Sequence, residues 1–174
     1  MKKSLCLPLL SALALVCSAH AAAAELQLDI QLPALQGARV KRPYVAIWLE
    51  KAGSHEFVGS FEVWYDTSKR NNAGTKWLPD LRSWWRASGG QAQLSLDAIS
   101  SATRPAGLQH IELSSSEVLH KLPAGDYELV VEASREHGGD EALRLPLRWP
   151  LRGALKADAN GTQELGRVSL SGKP

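Results

Sequence analysis

The sequence predicts an all-β domain: an immunoglobulin-like antiparallel β-sandwich with one short helix. Apolar and polar residues alternate strictly in several short runs, most clearly Leu143-Leu145-Leu147-Trp149, and a period of two belongs to strands with one buried face. Turn-forming clusters such as Gly53-Ser54, Pro123-Ala124-Gly125-Asp126 and Gly138-Gly139 separate these runs. Only the stretch 79–87 carries helical spacing. About eight strands at such intervals suit a sandwich built from two antiparallel sheets.

The chain opens with Lys2 and Lys3, continues through an apolar run from Leu5 to Cys17, and reaches Ala19-His20-Ala21. A basic start, a short apolar middle and an A-x-A ending form a secretory signal peptide. Cleavage is expected after Ala21 or Ala24, giving a leader over 1–24 and a single domain over 25–174. Val16 precedes Cys17 where a lipoprotein needs a small residue, which argues against a lipid anchor. No later segment is apolar over a membrane-spanning length, so no transmembrane segment is expected in the mature chain.

Both cysteines of the 174-residue chain, Cys6 and Cys17, lie in the leader. The mature protein therefore has neither disulfide nor thiolate chemistry, although export would permit disulfides. Basic residues number 20 and acidic residues 18. Removing Lys2 and Lys3 balances them, so no electrostatic footprint for nucleic acid remains.

The first strand carries Leu26, Leu28, Ile30 and Leu32 and ends at Pro33. A basic loop, Arg39 to Pro43, leads into Tyr44-Val45-Ala46-Ile47-Trp48-Leu49. Phe57 to Tyr65 forms the third strand, with Phe57, Gly59, Phe61, Val63 and Tyr65 expected on one face. A polar loop spans Asp66 to Lys76. Leu78, Leu81 and Trp85 then fall at helical spacing, with Pro79 suited to the first turn and Gly89-Gly90 to the stop. A short alternating run, Gln93 to Leu96, precedes a loop of small residues. Gln109 to Leu113, Tyr127 to Ala133, Leu143 to Trp149 and Leu165 to Leu170 complete the strands.

The loop Asp97-Ala98-Ile99-Ser100-Ser101-Ala102-Thr103 builds little core. It resembles the flavinylation motif of extracytoplasmic redox proteins: Asp, two or three variable residues, Ser or Thr, Gly, Ala, then an acceptor Thr or Ser. Asp97, Ser100, Ala102 and Thr103 match, while Ser101 stands at the Gly position. The resemblance implies that an ApbE-type flavin transferase joins FMN to Thr103 as a phosphoester. The small neighbours would let the transferase close over the loop. A solvent-facing turn with Ser/Thr backbone hydrogen bonds is the plain alternative.

The order of landmarks widens the resemblance. Arg42 to Glu50, Trp77 to Arg86, Asp97 to Gly107, Pro123 to Tyr127 and Glu132 to Gly139 together look like the bacterial periplasmic family catalogued as domain of unknown function 2271. That family is associated with flavin-transferase and membrane redox systems. The resemblance implies a periplasmic, flavinylated protein with a membrane redox partner.

Other candidates surround the motif. Trp77, Trp84 and Trp85 offer flat apolar surfaces for a flavin ring. Trp85 falls on the apolar stripe of the helix and is expected in the core, which leaves Trp84 as the ring contact. Arg135 is a candidate partner for the FMN phosphate, with His137 near the ring or a metal, or both residues belong to an ordinary hairpin turn. Arg104 adjoins Thr103 and is a second phosphate candidate, or a surface arginine. The histidines show no metal-ligand spacing, and neither a G-x-S-x-G elbow nor a phosphate-cradling glycine loop is present. Two readings follow. One is an electron-transfer carrier with FMN on Thr103; the other is a non-catalytic interaction module without cofactor.

Overall fold

The computed structural model describes residues 24–34, 41–90, 99–136 and 138–174. Two sheets face each other as a sandwich. The four-stranded sheet runs β5-β1-β9-β8 and the five-stranded sheet β4-β3-β2-β6-β7. In chain order these strands are β1 Glu25–Leu32, β2 Tyr44–Lys51, β3 Phe57–Tyr65, β4 Ser100–Ala102, β5 Gly107–Glu112, β6 Gly125–Ser134, β7 Asp140–Trp149, β8 Leu155–Asn160 and β9 Arg167–Lys173. All pairings are antiparallel except β3 with β4, which is parallel, so the expected fully antiparallel arrangement is corrected at that edge.

The alternating runs bury one face each. Leu26, Leu28 and Ile30 of β1, Leu129 and Val131 of β6, Leu145 of β7 and Val168 of β9 are fully enclosed between the sheets. Burying one such side chain contributes roughly 1.5–3 kcal/mol.

β2 behaves differently. Val45, Ile47 and Leu49 face the inter-sheet core, while Ala46 and Trp48 enter a second core on the outer face. A 3₁₀ segment, Arg70–Asp80, and helix α1, Arg82–Ala87, cover that face. Leu78, Leu81 and Trp84 pack there against Trp48, Val63 and Val130. The five-stranded sheet is therefore covered on both sides, and its central strand shows no polar face.

Three sequence expectations change. The helix expected at 79–87 is two pieces, because Leu81 leaves helical geometry between them (ψ 74°). The apolar stripe restarts at that break, so Trp84 is buried and Trp85 only half-buried. Among the described residues a further short helix, α2, spans Glu117–His120, capped by the Ser116 hydroxyl accepting from the Leu119 amide. In β3, Ile47 pairs with Glu62 but Trp48 with Ser60. Phe61 is the extra residue of a bulge and turns into the inter-sheet core beside Trp64, off the face where simple alternation puts it.

Helix α1 has no capping side chain of its own. Glu132, fully buried on β6, supplies one: its carboxylate accepts the Ser83 and Trp84 amides, both at 2.8 Å. These are orphan donors of a helix start. Burial pushes the Glu132 carboxyl up to about 7, outweighing the lowering by the two amides, and Asp140 beside it adds to the rise. The folded state thus holds a proton that the unfolded chain releases near its ordinary value. The Glu132 contribution is complete below about pH 4.5 and is lost as pH rises through about 7, a change of order 3 kcal/mol. Thermal melts of the wild type are expected to fall between about pH 5 and about pH 8, and those of Glu132→Gln to fall less. Equal slopes for the two proteins would refute this assignment.

Candidate functional site

One end of the outer face of the five-stranded sheet holds a cavity of about 320 Å³, at the lower end of the ~300–1,000 Å³ typical of small-molecule pockets. Its floor is Tyr44, where β2 begins, and Ser134, where β6 ends. Asp66 and Lys69 enter from the loop after β3, Trp77 and Asp80 from the 3₁₀ segment, and Thr103 from the residue after β4. Lys41, Arg42 and Glu136 complete the wall.

Local chemistry fixes each wall. Thr103 is half-buried; its amide donates to the Tyr65 carbonyl at 3.2 Å, and its carbonyl accepts from Arg42 Nη1 at 3.3 Å. The 3₁₀ wall is drawn in by Tyr44, whose hydroxyl donates to the Gly74 carbonyl at 3.2 Å. Gly74 permits this approach, since a Cβ there would lie 2.0 Å from the Asp66 carbonyl oxygen. Asn71 and Asn72 take left-handed backbone (φ 53° and 54°) to turn the chain into that wall, a conformation Asn tolerates better than most residues. The Ser68 hydroxyl bonds Asp66 at 2.6 Å and holds its carboxyl below the usual range, aided by Lys69 and Lys41. Burial raises the Tyr44 phenol.

Trp77 presents the largest apolar surface in the wall. Lys76 and Lys69 lie 4.8 and 5.9 Å from its ring centroid, within cation–π range. Its indole Nε1 is buried and has no hydrogen-bond partner. A buried donor without an acceptor costs about 1–3 kcal/mol.

The structure separates the residues singled out in the sequence. Thr103 lines the cavity. Ser100 and Ser101 line a different cleft, beside Glu112 and α2, with hydroxyl oxygens buried and without partners. Ala102 is exposed on β4, paired with Tyr65. Arg104 turns away from the cavity: it bonds Glu62 at 3.1 Å and stacks 4.2 Å from the Trp64 ring centroid. Asp97 and His137 lie outside the described residues.

Two assignments are corrected. Trp84 is fully buried, its Nε1 donating to Ser60 Oγ at 2.8 Å, and so has no open face for a flavin ring. Arg135 is committed elsewhere. Its Nε bonds Glu164 at 2.8 Å with both side chains buried, and its Nη1 donates to the Lys41 carbonyl. Arg135 holds the backbone next to Arg42 in place and is not free for a phosphate. The tryptophan and the arginine that share the cavity with Thr103 are Trp77 and Arg42. Trp77 was visible in the sequence as one of three nearby tryptophans. Arg42, 61 positions from Thr103, gave no local signal.

The family described as predicted periplasmic protein, DUF2271, matches residues 25–167. The chain belongs to the DUF2271 family. Its match begins where β1 begins, directly after the leader, and the DUF2271 protein is periplasmic. No curated protein and no solved structure matches the DUF2271 chain. Among the described residues, no helix is long and apolar enough to cross a membrane.

Proposed function

We propose that this DUF2271 protein is a periplasmic flavoprotein that carries FMN on Thr103 and acts as an electron carrier in an extracytoplasmic redox system. The observation that carries the reading is the coincidence of the acceptor hydroxyl residue with the Trp77–Arg42 cavity. The residues fit the group. Arg42 sets a permanent positive charge against the Thr103 backbone, where a phosphoester would need one. Trp77 offers a flat face for the ring.

Attachment needs an ApbE-type flavin transferase with FAD as donor. The Thr103 oxygen bonds to the FMN phosphorus, the phosphoanhydride bond to AMP breaks, and the hydroxyl proton passes to a base of the transferase. Bound flavin supplies reversible electron uptake; the protein orients it and limits its exposure to water. A membrane redox partner would exchange electrons with it. We also read the sandwich as immunoglobulin-like. Sheets of four and five strands, with sequence-distant pairings such as β1–β5 and β2–β6, support that reading.

Co-expression with an active transferase is expected to add one FMN mass to the protein, with flavin retained after denaturation. Trp77→Ala is expected to keep the label and to raise its fluorescence, because the quenching indole is gone. Absence of label on wild type, while a known acceptor is labelled by the same transferase, would overturn the proposal and leave a cofactor-free interaction module.

A further inference from the structure

The other end of the same sheet face carries a second constellation. On the outer face of β2 the side chains run Tyr44, Ala46, Trp48, Glu50; six residues at about 3.3 Å each place Glu50 about 20 Å from the Thr103 cavity. Glu50 pairs directly with Glu128 of β6. Two carboxylates directly opposite on adjacent strands destabilise a sheet unless positive charge is set between them. Arg144 of β7 supplies part of it, its Nε lying 3.3 Å from Glu50 Oε2 and 4.0 Å from Glu128 Oε2.

His55 lies against the same two carboxylates. It sits in the turn between β2 and β3 with a left-handed backbone (φ 54°), an uncommon conformation for a residue other than glycine. Its Nδ1 lies 3.1 Å from Glu128 Oε2 and 3.4 Å from Glu50 Oε2. The three ligand atoms lie within 4.8 Å of one another. Ligands held 2.0–2.1 Å from a tetrahedral zinc ion are separated by about 3.3 Å, so these two edges already have the required length. Glu128 Oε2 is buried and accepts no hydrogen bond. Glu50 is oriented from behind by the Trp48 indole, which donates to Oε1 at 2.8 Å and leaves Oε2 toward His55. Such an outer contact is what fixes a metal-ligating carboxylate.

We propose that Glu50, His55 and Glu128 form a site for a borderline divalent metal of the Zn²⁺ class, with a fourth position open to water. Two carboxylates and one imidazole suit such an ion. Arg144 offsets one of the two negative charges and weakens the site. The site stands apart from the flavin cavity and does not depend on it.

The test is calorimetric titration of Zn²⁺ into untagged, metal-stripped mature protein near neutral pH. One ion per chain is expected. His55→Asn removes the imidazole but keeps a residue tolerant of positive φ, and is expected to weaken binding at least about tenfold. Glu128→Gln is expected to weaken it comparably, and His110→Ala, which alters a histidine on β5 of the other sheet beside Asp29, to leave it unchanged. Arg144→Gln is expected to tighten binding severalfold, by removing a like charge from the ion's surroundings; a purely structural ion-pair cluster predicts no such gain. Thermal melts confirm that each variant is folded. Failure of the wild type to bind stoichiometrically, or equal affinity in folded His55→Asn, would overturn the site.

Discussion

Thr103→Ala is expected to abolish flavin attachment completely, because no side-chain oxygen remains to form the phosphoester. The substitution removes a half-buried group whose backbone bonds to Tyr65 and Arg42 persist. Stability is expected to change by less than about 1 kcal/mol, so loss of label reports chemistry and not unfolding. Thr103→Ser keeps the hydroxyl and is expected to retain the label. Ser101→Gly restores the residue found in the flavinylation motif and frees the backbone; it is expected to leave labelling unchanged or raise it. Asp97→Ala is expected to reduce labelling if the transferase reads that carboxylate. Intact-mass measurement after co-expression separates these outcomes. Equal label on wild type and Thr103→Ala would place the flavin on another residue and end the Thr103 assignment.

Leu145→Asp is expected to unfold the domain. Leu145 is fully buried between the sheets and pairs with Leu129 across β6 and β7. A carboxylate there loses its hydration without a partner and leaves apolar neighbours unfilled, together costing at least about 4–5 kcal/mol. A domain of this size has a total stability of roughly 5–15 kcal/mol. Leu108→Asp serves as the comparison: Leu108 is 52% exposed on the edge strand β5, where a charge is expected to shift stability by about 0.5 kcal/mol or less. Urea melts followed by far-UV circular dichroism measure both. A cooperative, near-wild-type transition for Leu145→Asp would overturn the core assignment.

Strands with one dry and one wet face announce themselves by alternation, which is why β1 and β7 are legible; β6 is legible from Tyr127, Leu129 and Val131, although Val130 and Glu132 are buried on its other face. β8 is not, because Leu155 is its only large apolar side chain, beside Ala157 and Ala159, and it lies at a sheet edge. β4 escaped notice because it consists of three small residues joined in parallel to β3. Helical periodicity does not carry across Leu81, where the helix is broken, and so Trp84, not Trp85, enters the core. Thr103, singled out in the sequence by a local resemblance, lines the cavity. Arg42, Lys41 and Tyr44 were not assigned to it, since only the fold brings the start of β2 beside the residue after β4. The Glu50–Glu128 pair was hidden for the same reason, its members being joined by strand register alone.

The double burial of β2 bears on how this sequence can drift. In β8, exposed residues alternate with half-buried ones, so every second position is open to neutral substitution. In β2, Val45, Ile47 and Leu49 answer to one core while Ala46 and Trp48 answer to the other. A one-residue slip exchanges Trp48 with the smaller Ile47 or Leu49 across the sheet and misfits both cores at once. Substitutions in β2 are therefore accepted mainly in compensated pairs, one in the strand and one in the sheet or helix that receives it. The segment from Tyr44 to Leu49 is expected to evolve more slowly than any edge strand of the fold.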